Sequence, residues 1–315
     1  MTRVAAIDCG TNSIRLLIAD VERGRLTDVV RTLEIVRLGQ GVDRTGRFAA
    51  DALDRTLAVT RRYAELCREH GVERLRFVAT SATRDAANRD DFLGQVREIL
   101  GVEPEVIDGR EEAELSFTGA LSALDPADRD EGMRLVVDLG GGSTELVLGD
   151  SHPVSAVSMD VGSVRLTERH SPGDPMSEAE MDALAGDVRS ALEEAGRVVD
   201  LAAASVVLGV AGTVTTITAH ALRLPGYDPV AINGTRLPLD AVLAACDELV
   251  RMPREQRAAL PYLVEGRVDV LPAGAVIWAE VLRWVRDLTE ASGHPLTDVL
   301  TSEHDILDGV ALALE

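Results

Sequence analysis

One phrase occurs twice in this chain. Asp8 to Asp20 reads D-C-G-T-N-S-I-R-L-L-I-A-D, and Asp138 to Asp150 reads D-L-G-G-G-S-T-E-L-V-L-G-D. The shared frame is D-x-G-x-x-S-x-x-L-x-[IL]-x-D, and the second copy begins 130 positions after the first. Each copy lies between short apolar runs, which predicts a strand, a glycine turn and a second strand. Glycines bring backbone N–H groups close to an anion where a side chain would block the approach. Carboxylates beside such a turn can hold a hard cation or position a water. Two unrelated hairpins with glycine turns are the plain alternative. Two extended copies, each opening its own half of the chain, favour a phosphate and metal site.

Composition narrows the function. A chain of 315 residues can build two domains with separate cores. The formal net charge of −21 argues against general nucleic-acid binding, which leaves a basic footprint. It also opposes a polyanionic substrate at long range, so any phosphate site must concentrate arginine, backbone N–H and a divalent ion locally. All 32 basic residues are arginine and none is lysine. That argues against a P-loop, Schiff-base chemistry and a protein-kinase site, each of which needs a lysine. No apolar run reaches membrane length and no signal peptide is visible, which predicts neither a membrane partner nor secretion. Cys9, Cys67 and Cys246 are odd in number and widely spaced, so no disulfide or zinc framework is expected and a cytoplasmic setting fits.

In chain order, strands are predicted at Val4–Ile7, Ile14–Val21 and Leu26–Val36, and a helix over Ala49–His70 closed by Gly71. Thr11, Asn12 and Ser13 suit either phosphate contact or ordinary turn chemistry. A strand at Leu75–Ala79 runs into Thr80-Ser81-Ala82-Thr83-Arg84-Asp85. There Arg84 is equally readable as an anion ligand or as a surface partner of Asp85 or Asp90. Another strand is expected over Val102–Ile107. Glu111 and Glu112 then open a helix, where acids ordinarily serve as capping and dipole partners. A polar stretch between Leu124 and Met133 reads as the linker between halves. Ser158–Leu166 predicts a strand and a turn, and Ser177-Glu178-Ala179-Glu180 has capping-box form. Gly209–Thr216 is a glycine-rich turn at a helix start, with Gly212 and Thr213 suited to a phosphate cradle or to close packing. Helices are expected over Asp240–Met252, Pro272–Leu288 and Ile306–Leu314, with a strand at Asp298–Leu300.

Beyond the D-C-G-T-N-S and D-L-G-G-G-S-T-E-L phrases, the chain carries A-T-S-A-T-R-D-A-A-N at 79–88 and D-G-R-E-E-A at 108–113. G-V-A-G-T-V-T-T follows at 209–216, Y-D-P at 227–229 and R-V-D-V-L-P-A-G at 267–274. In these motifs, over nearly its whole length, the chain resembles the exopolyphosphatase and guanosine pentaphosphate phosphohydrolase (Ppx/GppA) family. The resemblance implies an α/β fold of two actin-like domains with the active site in the cleft between them. Domain I would span 1–125, with a C-terminal helix from about 303 to 315 crossing back to it, and domain II would span 126–302. It implies Mg²⁺-dependent (or Mn²⁺-dependent) release of terminal phosphate from inorganic polyphosphate or guanosine pentaphosphate, and allows a homodimer. Glu112 would be the general base that activates water, and Asp138 and Glu145 the metal-binding carboxylates. Thr11, Asn12, Ser13, Arg84, Gly140, Gly141, Gly142, Ser143, Thr144, Gly212 and Thr213 would bind phosphate, with Ser163 and Arg165 in a segment near the cleft.

Two stretches depart from the family pattern. Asn233-Gly234 stands where His-Gly is frequent, and D-I-L-D-G at 305–309 replaces G-L-R-E-G. The lost arginine and added acids are expected to weaken a distal polyanion contact. Longer members carry a further C-terminal region. A silent phosphate sensor or an ATP-dependent actin-like switch is the rival of another class. Retention of Glu112, Asp138 and Glu145 speaks against the first, and the E-E-A element against the second.

Overall fold

The computed structural model describes residues 1–122, 124 and 132–315. Most of the stretch read as a linker, 125–131, lies outside the described residues. The chain divides into two compact units, one of Met1–Ser122 with Ile306–Glu315 and one of Ala123–Asp305.

Unit 1 is built on strands β1 (Thr2–Cys9), β2 (Ser13–Glu22), β3 (Arg25–Ile35), β4 (Arg74–Ala79) and β5 (Glu105–Val106), in spatial order β3-β2-β1-β4-β5. The first three form an antiparallel meander, and β4 and β5 join it in parallel. Helices α1 (Val42–Thr45), α2 (Ala50–Glu69), α3 (Ser81–Asp85), α4 (Arg89–Leu100) and α5 (Gly109–Ser122) connect them. β1 is apolar on both faces because both are covered. Ala5, Ile7 and Cys9 join one core with Leu57, Tyr63, Phe92 and Val96 of α2 and α4. Val4 and Ala6 join a second core on the opposite face. The strand expected over Val102–Ile107 shortens to Glu105–Val106, because this edge strand finds only Val78 and Ala79 to pair with.

Unit 2 repeats the plan with β6 (Arg134–Leu139), β7 (Thr144–Gly149), β8 (Pro153–Met159), β9 (Val206–Val210), β10 (Thr235–Pro238) and β11 (Asp298–Thr301), in order β10-β11-β9-β6-β7-β8. Taken from β8 inward, it shows the same antiparallel trio followed by two parallel strands, with β10 added antiparallel at the edge. The repeated phrase thus marks a repeated sheet, and the α/β reading holds, with one mixed sheet in each unit. The helices are α6 (Ser163–His170), α7 (Glu178–Ala195), α8 (Ala211–Ala221), α9 (Pro229–Ile232), α10 (Leu239–Arg251), α11 (Arg254–Ala258) and α12 (Leu271–Ala291). The capping box at Ser177 and Glu180 forms as read. Ser158–Leu166 does not form a strand and turn. β8 ends at Met159 and Ser163 opens α6, because carbonyls of the second glycine turn accept that helix's first amides.

The last helix, α13 (Ile306–Leu312), belongs to unit 1, where Ile306, Leu307, Val310 and Ala311 complete the second core. It packs closely on α5: a Cβ at Gly309 would lie 2.0 Å from the Leu115 carbonyl oxygen. Asp308 is fully buried and takes two bonds from the Arg31 guanidinium, at 2.5 and 3.2 Å. Asp308, which stands where the family pattern also carries an acid, is therefore an internal ion-pair partner. Among the described residues no helix is long and apolar enough to cross a membrane.

Candidate active site

Each glycine turn is closed by the same bond. Gly10 N–H donates to the Ser13 carbonyl and Gly140 N–H to the Ser143 carbonyl, both at 3.0 Å. The surroundings of the second turn then fix its orientation. The Gly140 carbonyl accepts from Ser163 N–H at 3.1 Å, and the Gly141 carbonyl from Val164 and Arg165 N–H at 2.9 and 3.0 Å. The Gly142 carbonyl accepts from Arg165 Nε at 2.6 Å. In a trans peptide the C=O of one residue and the N–H of the next point in opposite directions. With three carbonyls turned toward α6, the N–H groups of Gly141, Gly142 and Ser143 turn away from it, and none donates to any described group. Successive N–H groups of this kind form an anion-binding concavity.

The first turn does the same with different partners. The Thr11 carbonyl accepts from Gly39 N–H at 2.8 Å, and the Asn12 carbonyl accepts from Val36 and Arg37 N–H at 3.0 and 2.8 Å. The Asn12 N–H therefore points away from that segment and donates to no described group. Thr11 packs its methyl against Gly39, where a Cβ would lie 2.3 Å from Thr11 Cγ2.

In unit 1, α3 and α5 bring Arg84 and Glu112 together. The Arg84 guanidinium donates to Glu112 Oε2 at 2.6 Å and to the Ile107 carbonyl at 3.0 Å. Neither surface partner considered for Arg84, Asp85 or Asp90, receives that bond. The two glutamates of E-E-A have separate tasks. Asp108 caps the helix by accepting from Arg110 and Glu111 N–H, and Glu111 pairs with Arg76 at 2.6 Å. Glu112 is 8% exposed. Burial pushes its carboxyl up to about 7, against the Arg84 guanidinium, which pulls it down, and with the nearby Asp8 charge, which pushes it further up. A carboxyl poised near neutrality and held by one guanidinium has the makings of a general base. Cys9 lies beside the first turn, but burial pushes its thiol well above its usual range, which makes it a poor nucleophile.

In unit 2, Asp138 and Glu145 face each other across one rung of the β6–β7 ladder, 7% and 1% exposed. Glu145 Oε1 accepts from the Ser158 hydroxyl at 2.7 Å. Paired, buried carboxylate oxygens are the donor set a hard divalent cation takes, so these residues fit Mg²⁺ or Mn²⁺. No cluster of three or more candidate ligand side chains occurs among the described residues. An ion here would therefore draw its other ligands from water and substrate oxygens, as Mg²⁺ commonly does.

Gly212 and Thr213 stand at the start of α8, whose Ala211 takes a positive φ of 70°. The Arg267 guanidinium covers Gly212 and donates to its carbonyl at 3.3 Å. Thr144 turns its hydroxyl to the Val161 carbonyl at 2.6 Å, so its side chain braces the turn. Sequence reasoning missed how Gly162 acts: a Cβ there would lie 2.4 Å from the Gly141 oxygen, so only glycine lets α6 reach the turn. The V-G-S-V-R pattern after β8 was the available signal.

Comparison with known proteins identifies the family. The model of the Ppx/GppA phosphatase family matches residues 17–290. Exopolyphosphatase 2 of Mycobacterium tuberculosis is 50% identical over 323 residues, which cover 100% of this chain and 99% of that protein. The crystal structure of an exopolyphosphatase-like protein superposes with a TM-score of 0.96 at 46% identity, covering 99% of this chain and 97% of that one. A Ppx/GppA protein of Aquifex aeolicus gives a TM-score of 0.80 at 30% identity, with the same coverages.

Proposed function

The chain belongs to the Ppx/GppA phosphatase family, and from that premise we propose that it is an exopolyphosphatase releasing terminal orthophosphate from inorganic polyphosphate. The observation that carries the reading is the set of three N–H groups at Gly141, Gly142 and Ser143, turned together away from α6 and donating to no described group. Phosphoryl transfer asks for positioning and charge stabilisation rather than a covalent nucleophile, and this chain offers donors and carboxylates for both.

Glu112, deprotonated, takes a proton from the attacking water as oxygen approaches the terminal phosphorus, and Arg84 holds its carboxylate in place for that transfer. The amides of the second turn, with those of Thr11–Ser13 and the start of α8 at Gly212 and Thr213, receive phosphate oxygens. Asp138 and Glu145 hold the divalent ion, magnesium or manganese. When bound, that ion supplies neutralisation of charge on the phosphate oxygens. The leaving group is the shortened polyphosphate. Three buried cysteines in no disulfide fit a reducing cytoplasmic setting.

Guanosine pentaphosphate ends in the same phosphoanhydride, so the family name leaves it as a second candidate substrate. The test is phosphate release with Mg²⁺ from long polyphosphate, short polyphosphate, guanosine pentaphosphate and ATP in parallel. Release led by polyphosphate supports the reading. Release confined to guanosine pentaphosphate moves the function to alarmone turnover, and no release from any substrate rejects a phosphatase.

A further inference from the structure

Arg165 lies at the third position of α6, and its guanidinium is used in an unexpected way. In a segment that resembles a phosphatase site, an arginine is expected to face phosphate. Here Nε donates to the Gly142 carbonyl at 2.6 Å, and the side chain is only 11% exposed. A terminal nitrogen stands 3.8 Å from Asp160 Oδ1, so part of its charge is already answered within the protein. The carbonyl it grips belongs to the peptide plane that carries the Ser143 N–H.

The other carbonyls of the turn are held by backbone. Ser163, Val164 and Arg165 N–H fix the Gly140 and Gly141 oxygens, and Gly162 lacks the Cβ that would keep α6 away. The only bond to the Gly142 carbonyl among the described residues is that of a side chain, Arg165. Glycine on one side of a peptide lets its plane rotate at little steric cost. The Gly142–Ser143 plane is thus the one whose orientation depends on a side chain.

We propose that Arg165 is a positioning residue: it locks the Gly142–Ser143 peptide so that the Ser143 N–H faces the bound phosphate, without itself touching substrate. The proposal rests on reading the triglycine turn as the phosphate cradle. Loss of one preorganised donor at a reacting oxygen lowers turnover by about a hundredfold or more. A plane that is free to rotate, with its donor still present, should cost about tenfold to a hundredfold.

Glutamine is the informative replacement. Its Nε2 sits at the same number of bonds from Cα as arginine Nε, so it can donate to the Gly142 carbonyl but carries no charge. Lysine keeps the charge and moves the donor one atom further out. Methionine matches the stem and donates nothing. We would measure kcat and KM for polyphosphate, orthophosphate affinity by calorimetry and thermal melting for wild type, Arg165→Gln, Arg165→Lys and Arg165→Met.

The proposal expects Arg165→Gln within a few-fold of wild type, Arg165→Lys clearly slower and Arg165→Met slowest, with orthophosphate affinity falling in the same order. If lysine preserves activity and affinity while glutamine loses both, the guanidinium acts as charge on the substrate and the proposal is overturned. Glutamine and methionine equally impaired at unchanged melting temperature overturns it too. Should Arg165→Met fail to fold, the glutamine and lysine pair still decides. A wild type that neither releases phosphate nor binds orthophosphate would instead reject the phosphatase reading beneath it.

Discussion

Asp138 and Glu145 occupy the two ends of one rung in the β6–β7 ladder, while the matching rung in the first copy joins Asp8 to Arg15. In the first copy the rung closes as an ion pair, with Arg15 donating to Asp8 at 2.7 and 3.0 Å. The second copy sets two buried acids side by side. The two copies thus differ at one rung, an arginine–aspartate ion pair in the first and two buried carboxylates in the second.

The acid rung should control the ion. Glu145→Gln and Asp138→Asn are each expected to raise the Mn²⁺ concentration for half-maximal activity at least tenfold, and to weaken direct Mn²⁺ binding in parallel. Binding can be followed by electron paramagnetic resonance on enzyme stripped with chelator. Unchanged Mn²⁺ affinity in both variants would remove these residues from the metal site.

Glu112→Gln should lower kcat by about 10² to 10⁴, the usual worth of a general base, while leaving orthophosphate affinity within a few-fold. Steady-state phosphate release and calorimetry together check this. A variant as fast as wild type would end the assignment of Glu112 as base.

The pH profile follows from the same residue. With its carboxyl pushed up to about 7, protonation disables Glu112 on the acid side, so kcat/KM should climb as pH rises through about 7. Arg84 holds that value down, so Arg84→Gln should move the limb to higher pH. The stability sign runs the other way. A buried acid with a raised value loses stability as pH rises from about 4.5 to about 7, where the unfolded chain is already ionised and the folded one is not. Glu112→Gln should flatten the denaturant midpoint across that window, and an equal slope in both proteins would contradict the raised carboxyl.

Helix α13 offers a test away from the chemistry. Asp308→Asn leaves Arg31 with a weakened partner at a fully buried carboxylate, and should cost roughly 2 kcal/mol, less than a wholly buried pair because Arg31 is one-third exposed. Gly309→Ala meets the Leu115 carbonyl and should cost at least as much through forced separation of α13 from α5. Urea midpoints measure both. A neutral Gly309→Ala would mean the two helices can part cheaply.

A good part of this was legible in the chain itself. The duplicated phrase foretold two sheets of one plan, because a strand–turn–strand unit depends on local alternation and on where glycine permits a turn. The lack of lysine narrows the chemistry by composition alone. The helix over Ala49–His70 and the capping box at Ser177 were readable for the same local reason. Ser158–Leu166 was misread because what makes Ser163 a helix start is a set of carbonyls more than twenty residues earlier. No window around position 163 contains them.

The sequence alone determined the repeat, the residue types able to bind phosphate and metal, and the family resemblance, since each is carried by neighbouring residues. Only the tertiary structure decided what those residues do to one another. It turned the carbonyls of Gly140–Gly142 toward α6 and so the amides the other way, and it put Arg84 on Glu112 rather than on a surface acid. It also made Asp308 the buried partner of Arg31. Orientation, burial and pairing arise between segments distant in the chain, and a carboxylate's role follows from the groups that close around it.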